Sequence, residues 1–118
     1  MKKVLLSLAL LLPAIAALAQ EPPYIYKQFA FIPKQFVSGS LSAAQKADLD
    51  FCLQTARERQ EQAKVNPSGM GDLFGVSMSE CLTNDEQGKG WNMLEKTAAG
   101  WKPVPVHRAV RTLMGFPN

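Results

Sequence analysis

The chain has 118 residues, 47% hydrophobic and 19% charged, with a formal charge of +3 and a sequence pI near 9.0. That length accommodates one domain and not two. Two cysteines and a single histidine supply too few ligands for a zinc site, and no cofactor motif is present.

The first nineteen residues read as a signal peptide. Lys2 and Lys3 form a basic start, Val4 to Leu12 is an apolar run, and Ala14 to Leu18 extends it past Pro13. Ala17-Leu18-Ala19 places small residues where a signal peptidase reads, which predicts cleavage before Gln20. The run is shorter than the roughly 20 residues of a spanning helix and is interrupted by proline, so no stable membrane insertion is expected after cleavage. Cleavage leaves 99 of the 118 residues and, with Lys2 and Lys3 gone, lowers the charge from +3 to +1. The basic pI is therefore partly a property of the precursor, and nucleic acid is not an expected partner. The expected compartment is the periplasm or the exterior.

In an oxidising compartment the even cysteine count predicts a disulfide between Cys52 and Cys81. Closing a loop of about 30 residues would contribute roughly 3–4 kcal/mol in the chain-entropy model.

Residues 20–40 are expected to form an extended arm. Tyr24, Tyr26, Phe29, Phe31 and Phe36 follow in close order with Lys27 and Lys34 among them, and Pro33 opposes a long helix. The arm reads either as an aromatic, weakly basic surface for a partner or as a strap packed over helices. The strap is the favoured reading.

Residues 41–118 are expected to form a helical domain of about four helices. Ser42 and Gln45 fit a capping box at the start of the first helix. Leu49, Cys52, Leu53, Ala56 and Ala63 make its apolar stripe, and Asn66-Pro67-Ser68-Gly69 stops it. The second helix runs from about Asp72 to Leu82, with Leu73, Phe74, Ser77, Met78 and Cys81 along one side. Thr83 and Glu86 fit a second capping box, predicting a third helix that aligns Gln87, Trp91, Leu94 and Ala98 and closes at Gly100. Trp101-Lys102-Pro103 reads as a turn. Pro103 or Pro105 then opens a fourth helix with Val106, Ala109, Val110 and Leu113 inward and His107, Arg108 and Arg111 outward. Gly115 and Phe116 fit a glycine cap. The predicted fold is all-α: a small irregular bundle with one disulfide and an aromatic N-terminal arm.

Catalysis needs a nucleophile with a base, a carboxylate pair in a cleft, or a metal. His107 lies beside Arg108 on a predicted outer face, and Asp48 and Asp50, two apart on a helix, point in different directions. Asp85 and Glu86 are accounted for by the start of the third helix. No enzyme, catalytic residue, metal or cofactor is expected.

Several short motifs resemble those of periplasmic immunity proteins that protect bacteria from type VI secretion amidase effectors. They are Phe51-Cys52 within a helix, Cys81-Leu82-Thr83 before a capping box, a tryptophan-lysine-proline turn at 101–103, and the closing Phe116-Pro117. The likeness covers roughly residues 49–117; the chain differs at Trp101, where histidine is more usual, and at Asn118, where cysteine is common. The resemblance implies a protein-binding module that inhibits a peptidoglycan hydrolase by stoichiometric binding. Aromatic and arginine anchors favoured in such contacts nominate Tyr24, Tyr26, Phe29, Phe31, Arg108 and Arg111. Two alternatives are a periplasmic acid-stress chaperone and an accessory subunit of an envelope machine.

Overall fold

The structure, a computed structural model, describes residues 21–36, 39–65, 71–85 and 90–116. The predicted signal peptide lies outside them, as do Glu86 and Gln87 of the predicted third helix. The elements run β1 (Tyr24–Tyr26), β2 (Phe29–Pro33), α1 (Ala43–Val65), α2 (Leu73–Leu82), β3 (Trp91–Thr97), β4 (Gly100–Pro103) and α3 (Val106–Leu113).

Two hairpins build one antiparallel sheet in the order β1-β2-β3-β4. In the first, Tyr24 pairs with Phe31 and Tyr26 with Phe29 across the two-residue turn Lys27-Gln28. Lys27 adopts a φ of 56°, an uncommon conformation for a side-chain-bearing residue. The second hairpin turns through Ala98-Ala99, pairing Thr97 with Gly100. There the Thr97 hydroxyl accepts from the Ala99 amide at 3.1 Å and donates to the Gly100 carbonyl at 2.7 Å, and Gly100 takes a φ of 105°. The hairpins join through β2 and β3, with Phe31 opposite Met93 and Pro33 opposite Trp91. Pro33 ends its strand, where a missing N–H costs the ladder least.

Side chains alternate across the sheet, so this register sorts them into two faces. Phe29, Phe31, Trp91 and Met93 point inward and are almost fully buried. They share one core with Cys52 and Ala56 of α1, Val76, Met78 and Leu82 of α2, and Ala109 and Leu113 of α3. Burying each large apolar side chain of this kind stabilises by about 1.5–3 kcal/mol. Core formation thus unites β1 and β2 with the helices in one packed unit.

Helix α1 begins with the reciprocal cap read from sequence: the Gln45 amide donates to Ser42 Oγ at 3.1 Å, and the Ser42 amide to Gln45 Oε1 at 2.9 Å. Cys52 and Cys81 form the disulfide between the inner sides of α1 and α2, with Cα atoms 5.6 Å apart. Helix α3 follows Pro105 and ends in a Schellman arrangement. The Phe116 amide donates to Arg111 O and the Gly115 amide to Thr112 O, both at 3.0 Å, with Gly115 at φ 89°.

The expected all-α bundle is overturned: among the described residues three helices pack on a four-stranded antiparallel sheet, an α/β mix. Residues 91–97 form β3 instead of a third helix, because Trp91, Met93 and Glu95 share one face at period two. Thr83 closes α2 instead of opening a helix; its hydroxyl and amide both donate to Ser79 O. Residues 101–103 belong to β4 instead of a turn, and Gly100 is a hairpin residue instead of a helix cap. Asp85 pairs with Lys34 Nζ at 2.9 Å. The expected aromatic arm is a hairpin whose second strand lies in the interior of the sheet.

Replacing both Cys52 and Cys81 with alanine is expected to lower unfolding free energy by about 3 kcal/mol, since the bridge spans 29 residues. Urea denaturation of the variant against the oxidised wild type measures it.

Candidate binding surface

Asp72 ties the turn of the first hairpin to the helices. It precedes α2 as N-cap, and its Oδ1 accepts the Gly75 amide at 3.0 Å. The Tyr26 hydroxyl donates to the same carboxylate at 2.8 Å, and Lys27 Nζ reaches Oδ2 at 2.6 Å. Its own amide donates to Leu113 O at the end of α3, at 2.8 Å. Two glycines keep this junction close: a Cβ at Gly71 would stand 2.7 Å from Leu113 O, and one at Gly75 would stand 2.9 Å from both Leu113 and Tyr26 side-chain carbons.

These contacts set the electrostatics. Burial pushes the Asp72 carboxyl up, but hydrogen bonds from Lys27, Gly75 and Tyr26 with the Lys27 charge outweigh it, and the net shift is downward. Tyr26 is raised by burial and then by its bond to Asp72; Lys27 is raised by its bond and attraction to Asp72. Tyr24 is raised by burial, against the opposing charge of Arg57. The three donors to the Asp72 carboxylate are Tyr26, Lys27 and the Gly75 amide, so the cluster is a structural junction.

The second feature is the outer face of the sheet. Register places Ile25, Ala30, Leu94 and Pro103 in one row across all four strands, with Ile32 and Asn92 beside it on one side and Lys96 and Trp101 on the other. None of Ile25, Ile32, Leu94 or Trp101 joins the core cluster formed with the helices. Ile25 is 40% exposed, Pro103 is exposed, and Ile32, Leu94 and Trp101 are half-buried. Ala30, in the same row, is fully buried although it is outside that cluster. At one end a groove of about 310 Å³ opens between Ile32, Asn92, Leu94, Pro103, Pro105 and Val106. Towards the other, Lys96 Nζ lies 5.8 Å from the centre of the Trp101 ring.

The residues nominated from sequence fall elsewhere. Phe29 and Phe31 are buried core residues, so their side chains are not available to a partner. Tyr24 packs on Phe31 with ring centres 6.0 Å apart, and Tyr26 packs on Phe74 at 5.2 Å. Arg108 and Arg111 are exposed on α3; Arg108 reaches Glu95 at 3.4 Å, and the Arg111 guanidinium lies over Phe116 at 5.4 Å. The six are therefore not gathered into one surface. Sequence reasoning missed Ile25, Ile32, Leu94 and Trp101, although the unbroken run Phe29-Ala30-Phe31-Ile32 carries a signal for them: a strand apolar on both sides.

Among the described residues no helix is long and apolar enough to cross a membrane, and no group of three or more histidine, cysteine or acidic residues is placed to hold a metal. With the disulfide, the first of these is compatible with an exported protein. Comparison with protein-family models, curated proteins and solved structures found no match.

Because Asp72 is held below its ordinary value in the folded state, it contributes stability above the unfolded carboxyl range, and this is lost as pH falls through the lowered folded value. Asp72→Asn is therefore expected to flatten the acid limb of the stability–pH curve. Unfolding in urea between neutral pH and pH 2 tests it; an unchanged acid limb would show that Asp72 does not drive it.

Proposed function

We propose that this chain is an exported protein-binding module and that its partner docks on the outer face of the sheet. The supporting observation is that face itself: an apolar row across four strands, outside the core, with a groove at one end. Contiguous exposed apolar surface costs solubility, and in a folded domain it marks an interaction site. Half-buried tryptophan and exposed proline at its rim fit the anatomy of a contact surface.

Residues 1–19 would direct export, which places the module in the periplasm or outside the cell and accounts for the use of a disulfide. The motif resemblance within residues 49–117 suggests the partner class, a peptidoglycan amidase effector held in an inactive one-to-one complex. Binding, with no chemical step, is then the whole activity.

The test is a capture by tagged mature protein from periplasmic extract at pH 7 and near pH 3, in parallel with Leu94→Glu. The reading expects one peptidoglycan hydrolase held at neutral pH in a one-to-one ratio and released by Leu94→Glu. Titrating the purified hydrolase should reach full inhibition at equimolar protein. Many unrelated clients captured only in acid would replace this reading with a chaperone. Leu94 lies outside the core, so the substituted protein is expected to keep its circular dichroism and melting temperature within a few degrees.

A further inference from the structure

The open sheet face carries one sign of charge. Of the residues that register places there, Ile25, Ala30, Ile32, Asn92, Leu94, Lys96, Trp101 and Pro103, only Lys96 is charged. Its ammonium is exposed and held beside the Trp101 ring, while none of the described strand residues on this face is acidic. The other strand lysine, Lys102, is opposite Glu95 on the inner side. Three acids of the domain are engaged elsewhere: Glu95 takes Arg108, Asp72 takes Lys27 and Asp85 takes Lys34.

We infer that the partner presents an apolar knob with a carboxylate about 10 Å away, the knob filling the Ile32–Leu94–Val106 groove and the carboxylate meeting Lys96. This inference rests on the docking face proposed above. The spacing follows from the strand: the groove centres near Asn92 to Leu94, and Lys96 lies about three residues further along β3 at roughly 3.4 Å per residue. A volume of about 310 Å³ is at the lower end of ligand clefts and suits one or two apolar side chains.

Charge decides against the other occupants. A second copy would bring a face with Lys96 and no acid against an identical face, so the cation would meet no counter-charge in a two-fold pair. An anionic bilayer would attract a single lysine by only about 1 kcal/mol, and its plane cannot enter the groove. The ends of the sheet also disfavour strand addition, with Pro22-Pro23 ahead of β1 and Pro103 and Pro105 at β4.

The experiment selects a random phage-displayed peptide library on the folded, oxidised mature protein, then measures synthetic consensus peptides by calorimetry and Trp101 fluorescence. The expected consensus pairs a large apolar residue with Asp or Glu. Its affinity should fall at least tenfold with Leu94→Glu and about fivefold with Lys96→Gln, and Lys96→Glu should select basic residues in place of acidic ones. A neutral or basic consensus that still needs Leu94 would overturn the acidic partner and leave the docking face standing. Peptides indifferent to Leu94→Glu, or no Leu94-dependent peptide at all, would remove the face as well. Sedimentation showing a dimer that Leu94→Glu dissociates would assign the face to a second copy. Co-sedimentation with phosphatidylglycerol vesicles, lost on the same substitution, would assign it to a membrane.

Discussion

The carboxylate of Asp72 is the point on which three parts of the chain converge. A short hairpin is marginal by itself, and a ten-residue helix is marginal by itself; each is stable here because the other is present. Asp72 caps α2 through Gly75, takes the hydroxyl of Tyr26 and the ammonium of Lys27 from the hairpin, and sends its amide to the end of α3. The strained turn at Lys27 is compensated by the ion pair it enables, in which the acid is 14% exposed and the lysine 58%. A charge half in water gives little by attraction alone. Its value is in pairing the Gly75 amide of α2 and the Tyr26 hydroxyl at a junction where Gly71 and Gly75 admit no larger side chain.

The disulfide and this junction divide the work between the two sides of the helical layer. Cys52–Cys81 fixes the C-terminal end of α2 to the middle of α1, while Asp72 fixes the start of α2 to the sheet and to α3. Between them, Val76, Met78 and Leu82 are buried against Phe29, Phe31, Trp91 and Met93. Two unpaired polar atoms, Ser77 Oγ and Trp91 Nε1, sit within this packed region without a partner among the described residues. Each costs free energy, and the surrounding apolar burial offsets it.

The helices were legible because their local signals agreed with their packing. Ser42 and Gln45 cap each other as their spacing indicates, Cys52 and Cys81 lie on the expected stripes, and Gly115 closes α3. The second hairpin was not. In Trp91-Asn92-Met93-Leu94, a step of three links Trp91 to Leu94 and a step of two links Trp91 to Met93, so one short segment satisfies both periods. Thr83-Asn84-Asp85-Glu86 tipped the reading towards helix, although a threonine after a helix can equally cap the carbonyls behind it, as Thr83 does with Ser79. The Ala98-Ala99 turn carries no strong turn residue of its own and depends on the Thr97 hydroxyl. Lacking that strand pair, the sequence reading had nowhere to put the aromatic run except an arm. Phe29 and Phe31 are buried, as the favoured strap reading has them, and not on a partner surface as the motif resemblance implies.

The same misreading hid the outer face, since a face exists only once β2 and β3 are neighbours. Their pairing is long-range, bridging the two helices in sequence, and no local window contains both strands. With the pairing in place, the composition of the strands has a physical consequence. An antiparallel sheet with one wet side ordinarily alternates apolar and polar residues, and β2 does not: Phe29, Ala30, Phe31 and Ile32 are apolar in succession. A strand apolar on both sides belongs between two layers, and among the described residues only one layer is present. The prolines that flank β1 and end β4 guard the edges against another strand, yet nothing polar guards the row Ile25–Ala30–Leu94–Pro103. Protection at the edges with exposure on the face is the pattern of a sheet that avoids unspecific pairing while keeping one surface open for a second layer supplied from outside.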